Sequence, residues 1–173
     1  IMADKNKRVT LQNIADAADV SIAVASRAMG NYGYVSAGKK ERVRKVADDL
    51  GYTPDIVARA LKTQKTYCVG VIIADITAHV FTLIVRGIDD VARQNGYHLI
   101  ICNSDQSPEK EKIHLKELQS RKVDGIIISP TETNAQYINK ISRSGIPIIL
   151  VDRLLPSIDA TSVVVDNRLG AYE

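Results

Sequence analysis

Five short runs of aliphatic, largely β-branched residues fall at regular spacing between residues 69 and 165. They are Val69–Ala74, His98–Cys102, Gly125–Ile128, Pro147–Val151 and Ser162–Val165. None alternates apolar with polar residues, so each is a strand buried on both faces. Most of the segments between them have helical spacing. Phe81 to about Asn95 carries Ile84, Val85, Ile88, Val91 and Ala92 and stops at Gly96. Pro108 to about Arg121 carries Ile113, Leu115 and Leu118, and Ala135 to Arg143 stops at Gly145. Alternating strands and helices predict a parallel sheet covered on both faces, and right-handed crossovers make it a doubly wound α/β layer.

The segment before this pattern is organised differently. Thr10 is placed to N-cap a helix in which Leu11, Ile14, Ala15 and Ala18 form one apolar stripe. Asp19-Val20 makes a break, and Ser21 can cap a second helix reaching about Met29. Ala15, Val20, Ala25 and Ala28 are compact enough for two helices to cross closely. Ile22, Ala23, Ser26 and Arg27 share the outward face of the second helix, with Val24, Ala25 and Ala28 on the other side. A close crossing plus an outward face bearing Arg is what a DNA-reading helix-turn-helix requires. A turn-rich loop, Gly30 to Val35, leads to a third helix capped by Ser36 and ended by Gly51. Its apolar face is Val43, Val46, Ala47 and Leu50. Lys39, Lys40, Arg42, Arg44 and Lys45 line the rest, either as a solvated surface or as phosphate contacts.

Between the two patterns lies Tyr52-Thr53-Pro54 and a helical piece over 55–62, which Thr53 or Asp55 could cap. Two turns of helix are marginal in water without a partner. Thr63-Gln64-Lys65-Thr66 reads as a polar linker. Charge follows the same division. Residues 1–66 hold 12 Lys and Arg against 7 Asp and Glu, whereas residues 67–173 hold 11 against 13. A polyanionic partner is therefore expected for the first part alone.

In an open parallel sheet the ligand crevice lies beyond the carboxyl ends of the strands. Those ends carry Asp75 to Phe81, Asn103 to Asp105, Ser129 to Thr131, Asp152-Arg153 and Asp166-Asn167. The set suits a polyhydroxylated ligand such as a sugar, although Asp and Asn after strands are also general turn and cap formers. No Gly-rich phosphate loop and no Gly-x-Ser-x-Gly elbow occurs, and His79, His98 and His114 are too scattered for a metal site. No enzymatic activity, cofactor or metal is expected. Cys68 and Cys102 are expected as buried free thiols of a cytoplasmic protein. No apolar run is long enough to span a membrane, and the polar start, IMADKNKR, lacks a secretory core.

The segments VTLQNIADAADVS, SRAMGNYGYVS, LGYTPDIVARALKT, VGVIIADIT, RGIDDVARQNGYHLIICNSDQSPEKE, RKVDGIIISP and IPIILVDR, in this order, resemble the lactose-repressor (LacI) family of bacterial transcription regulators. The resemblance implies a DNA-binding headpiece over 1–52, a hinge helix and linker over 53–66, and over 67–173 the first half of an effector domain like a periplasmic binding protein. It implies a homodimer on palindromic operator DNA, acting as a repressor and controlled by a small, sugar-like effector. Matching positions for DNA contact are Thr10, Ser21, Ile22, Ala23, Ser26, Arg27, Asn31 and Tyr34 in the headpiece. In the hinge they are Val57, Ala58, Arg59, Leu61 and Lys62, with Leu61 as a wedge between base pairs. Effector contacts would fall to Asp75, Ala78, His79, Phe81, Ser104, Ser129, Asp152, Arg153 and Asp166.

Several positions depart from the family pattern. Asp19 stands where many relatives carry Gly, Ala25 where Val or Ile is usual, and Ala78-His79-Val80-Phe81 where Asn-Pro-Phe-Phe is common. By the same resemblance the chain is expected to end inside a helix, with a second effector subdomain beyond it. The reading from another functional class is a sugar-binding module of the periplasmic-binding type with no transcriptional role.

Overall fold

The computed structural model describes residues 9–30, 32–53, 60 and 64–165, and the chain divides into two compact units, one up to Ile56 and one from Val57. The first unit is three helices: α1 (Leu11–Ala17), α2 (Ile22–Gly30) and α3 (Ala37–Asp49). Its core is Ile14, Ala15, Ala18, Ala25, Ala28, Val43 and Ala47, all essentially inaccessible. Five of the seven are alanines, and Ala15, Ala18, Ala25 and Ala28, on α1, its C-cap and α2, let the helix backbones approach closely. Asp19 takes the left-handed conformation, φ 49°, in the turn between them. Gly51 does the same after α3, at φ 64°.

Two expectations for α3 need correction. Ser36 occupies the cap position, but its side chain makes no cap hydrogen bond. Leu50, the C-cap residue, is 41% exposed rather than part of the buried face.

The second unit holds the sheet: β1 (Cys68–Ile73), β2 (His98–Asn103), β3 (Gly125–Ile128), β4 (Ile148–Val151) and β5 (Thr161–Val163), in spatial order β2-β1-β3-β4-β5. Every pairing is parallel. α4 (His79–Gln94) follows β1, α5 (Pro108–Ser120) follows β2, and a 3-10 turn (Glu132–Asn134) leads into α6 (Ala135–Arg143) after β3. One layer of core joins α5 and α6 to the sheet through Leu115, Leu118, Ile138 and Ile141 against Ile72, Ile126, Ile128 and Leu150. Gly70 permits this, since a Cβ there would lie 2.8 Å from Leu118 Cδ2. The other layer is Val71, Ile73, Ala74 and Phe81, flanked by Ile84, Val85 and Ile88 of α4.

This second face is only partly covered among the described residues. An apolar trough of about 680 Å³ runs between α4 and the outer strands, lined by Val80, Leu83, Val91, Ile149, Val163 and Val165. Val91 is therefore exposed rather than packed. Ile113 of α5 is exposed as well, since Leu115 and Leu118 point to the sheet and leave it outward. Cys68 and Cys102 are free thiols, but half-buried at the edge of the first core layer. Burial raises both thiol pKa values above the ordinary range. Among the described residues no helix is long and apolar enough to cross a membrane.

Two long-range anchors are absent from the local patterns. Asp124, just before β3, accepts hydrogen bonds from Thr66 N (2.8 Å), Thr66 Oγ1 (2.9 Å) and Tyr67 N (3.0 Å). Thr66 is thus fastened to the sheet unit and is not free linker. Glu111 of α5 is fully buried and accepts from Thr131 N (2.7 Å), Thr131 Oγ1 (2.8 Å) and Asn134 Nδ2 (2.8 Å). Replacing Glu111 by Leu strands three donors in the interior, at a cost of about 3 kcal/mol. Urea unfolding of the sheet unit should show this loss; an unchanged midpoint and slope would contradict the role given to Glu111.

Candidate nucleic-acid interface and effector rim

The headpiece face is built from its caps outward. Thr10 accepts from Asn13 N at 3.3 Å, and the Asn13 side chain accepts from Thr10 N at 2.9 Å, closing a capping box at the start of α1. Thr10 Oγ1 also donates to Asn13 Oδ1 at 2.7 Å. Ser21 Oγ accepts from Val24 N at 3.3 Å, which starts α2 directly at Ile22. Helical periodicity then decides the faces. Ala25 and Ala28 are sealed in the core, Val24 is half-buried, and Ile22, Ala23 and Arg27 stand open, Ile22 at 48%. Ser26 is half-buried at the edge of that face, where its hydroxyl is hydrogen-bonded to the Tyr32 phenol. Tyr34 projects from the following loop, 90% exposed. The structure therefore brings Ile22, Ala23, Ser26 and Arg27 to one surface. Thr10 and Ser21 are exposed residues whose side chains cap helices. Asn31 and the hinge positions Val57, Ala58, Arg59, Leu61 and Lys62 lie outside the described residues.

α3 carries an unusual charge order. Lys39 and Lys40 lie in its first turn and Asp48 and Asp49 at its last, with no acid in the first turn and no base in the last. Each such charge opposes the helix dipole, at a cost of a few tenths of a kcal/mol when exposed. Helix stability does not account for this arrangement.

At the carboxyl edge of the sheet the loops are tied together. Asp75 turns on itself: its Oδ1 accepts from Thr77 N (2.8 Å) and Thr77 Oγ1 (2.7 Å). Ile76 N donates to Asn103 Oδ1 at 3.1 Å, and Asn103 Nδ2 donates to Asp105 Oδ1 at 2.5 Å. Lys110 of α5 pairs with Asp105. Arg153 Nη2 donates to Gln106 Oε1 at 3.2 Å, and Ser129 Oγ donates to Asp152 Oδ2 at 3.2 Å. Asp152 takes the left-handed conformation, φ 68°. Thr77 hydrogen bonds hold the Asp75 carboxyl below the usual carboxylate range, and the Lys110 ammonium does the same for Asp105.

Of the residues expected to meet an effector, Asp75, Ala78, His79, Asp152 and Arg153 reach this rim with open or half-open side chains. Three do not. Phe81 is packed under α4 against Val71, Ile73 and Ala74, because the helix begins at His79 and turns position 81 inward. Ser104 is fully buried and donates to Ile73 O at 3.1 Å, a tie between two strand ends. Ser129 is buried behind Asp152. Asp166 lies outside the described residues. Gln106 was not expected at the rim; nothing in its local sequence indicates that Arg153, 47 positions away, would reach it.

A three-helix headpiece with an open second helix, followed by a parallel α/β unit with a polar carboxyl edge, defines a helix-turn-helix protein with a periplasmic-binding-like α/β unit. Residues 10–55 match the model of bacterial regulatory proteins of the lacI family, and residues 66–172 match that of periplasmic binding proteins and the sugar-binding domain of the LacI family. The chain belongs to the LacI family. It is 35% identical over 160 residues to the HTH-type transcriptional regulator KdgR of Bacillus subtilis (strain 168), covering 92% of this chain and 47% of that protein. It is 33% identical to catabolite control protein A of Priestia megaterium, over 95% and 50% of the two chains. Among solved structures, the lac repressor dimer bound to operator and the anti-inducer ONPF is similar with a TM-score of 0.77 and 26% identity, over 96% of this chain and 52% of that one. The chain thus spans about half the length of the curated relatives it matches.

The Asp75 turn gives a pH test. Its charged form is favoured above the ordinary carboxylate range, and that favour is lost as pH falls through the lowered folded-state pKa. In Thr77→Val the hydroxyl donor is gone, so the Asp75 carboxyl should titrate at higher pH in a carbon-detected NMR titration. An unmoved titration midpoint would contradict the hydrogen-bond assignment.

Proposed function

We propose that this chain is the DNA-binding and effector-sensing N-terminal portion of a cytoplasmic transcription regulator, acting as a repressor and performing no catalysis. Residues 1–52 form the headpiece, 53–66 the hinge and linker, and 67–173 the first half of the effector core. The observation that carries this reading is the open face of α2, with Ile22, Ala23, Ser26 and Arg27 standing on a crossing of alanines. Arg27 would hydrogen-bond a guanine edge, while Ile22 and Ala23 would contact thymine methyl groups. Thr10, Ser21, Asn31 and Tyr34 would contact the flanking backbone, and the basic first turn of α3 would add phosphate contacts.

The hinge residues Val57, Ala58, Arg59, Leu61 and Lys62 would enter the minor groove, with Leu61 unstacking a base step. Two copies would meet a palindromic operator, since protein two-fold symmetry is mirrored in paired half-sites. The relatives' names support the regulatory reading, and the lac repressor complex combines a dimer, an operator and a small ligand. A sugar-like effector suits the carboxylate, amide and guanidinium groups of Asp75, Asn103, Asp152 and Arg153 at the rim. Such an effector would act by favouring one of two core states, and so one headpiece spacing.

Binding should be salt-dependent, with affinity for random DNA falling as salt rises. No binding to random duplex at low salt would overturn the regulator reading. Arg27→Ala should cost on the order of 1–3 kcal/mol at one base pair of the selected site. Leu61→Ala should weaken operator binding more than nonspecific binding. Equal losses on both DNAs, in titrations at one salt concentration, would remove the wedge from the mechanism.

A further inference from the structure

The open face of α2 is completed by a side chain that does not belong to the helix. Tyr32 follows the helix by two residues, and its N–H donates to Arg27 O at 3.3 Å. Its ring lies across Gly30, where a Cβ would sit 2.6 Å from Tyr32 Cδ1 and closer still to Cε1. Any side chain at position 30 would therefore displace the ring. Held there, the phenol hydroxyl hydrogen-bonds Ser26 Oγ, while 40% of the tyrosine stays exposed. The next residue lies beside the other polar member of the face. Gly33 takes φ 66° and brings its backbone against the Arg27 stem, where a Cβ would lie 3.3 Å from Cδ. Tyr32 and Gly33 thus lie against Ser26 and Arg27 respectively.

This matters because a serine hydroxyl turns freely and can donate or accept. Alone, it reads base edges permissively. Bonded to a phenol, it has one of its two roles occupied and its rotamer held. We propose that Tyr32 is a specificity-determining positioning residue of the DNA-reading face: the Ser26–Tyr32 pair, rather than Ser26 alone, meets the base edge. The proposal rests on the reading of α2 as the DNA-recognition helix. Gly30 is then a requirement of recognition, as the position over which the ring must lie.

Base preferences selected from a randomised duplex pool test it, using the 173-residue chain and its Tyr32→Phe, Ser26→Ala, doubly substituted and Gly30→Ala forms. Thermal melting of each variant confirms that the headpiece is intact. Tyr32→Phe should relax preference at one half-site position by about fivefold, with affinity for random DNA within about twofold of the parent. Ser26→Ala should relax the same position, and the double variant should lose no more than the larger single loss. Gly30→Ala should reproduce the Tyr32→Phe profile. A Tyr32→Phe profile identical to the parent's, or losses that multiply in the double variant, would overturn the pairing while leaving the DNA reading of α2 intact. A parent chain that binds duplex but selects no sequence would overturn both.

Discussion

The headpiece depends on the lack of side-chain bulk where its first two helices cross. Ala15 and Ala18 of α1 and the turn after it meet Ala25 and Ala28 of α2, all at or near zero exposure. Small residues at the crossing let α2 sit close against α1, and helical periodicity then turns Ile22, Ala23 and Arg27 outward. The left-handed turn at Asp19 belongs to the same arrangement, because it reverses the chain within a few residues. Packing and the candidate recognition surface are therefore two sides of one helix.

Charge adds a second layer. The basic first turn and acidic last turn of α3 both run against the helix dipole. In the sheet unit the polar groups serve one another: Asp75 with Thr77, Asp105 with Lys110, Arg153 with Gln106. The rim is thus an ordered polar surface, held by bonds between loops that follow β1, β2 and β4. A ligand exchanging hydrogen bonds with it would act on several loops at once.

The strands, the three helices that follow them and the parallel order were legible in the sequence, because buried strands and amphipathic helices leave periodic patterns within one segment. Thr10 and Ser21 were legible as caps for the same local reason. Partners distant in the chain were not. Glu111 appears as one more charge on a polar helix until Thr131 and Asn134 close around it. Asp124 resembles a turn residue until Thr66 and Tyr67 reach it from 57 or 58 positions away. Position after a strand alone puts Phe81, Ser104 and Ser129 at the rim. The side chain's direction, which depends on where the helix starts or which carbonyl lies behind, places them in the interior. Ser26 was recognised as a polar member of the face, but its partner was hidden in a loop whose composition signals only a turn.

The central claim is that the open face of α2 meets duplex DNA while the sheet unit does not. Backbone amide NMR of the 173-residue chain, titrated with a random duplex at low salt, tests it most directly. Shifts confined to Thr10, residues 21–34, the first turns of α3 and the hinge, with the amides of β1 to β5 unmoved, are the predicted result. Perturbations centred on the sheet edge around Asp75, Asn103 and Arg153, with α2 silent, would contradict it.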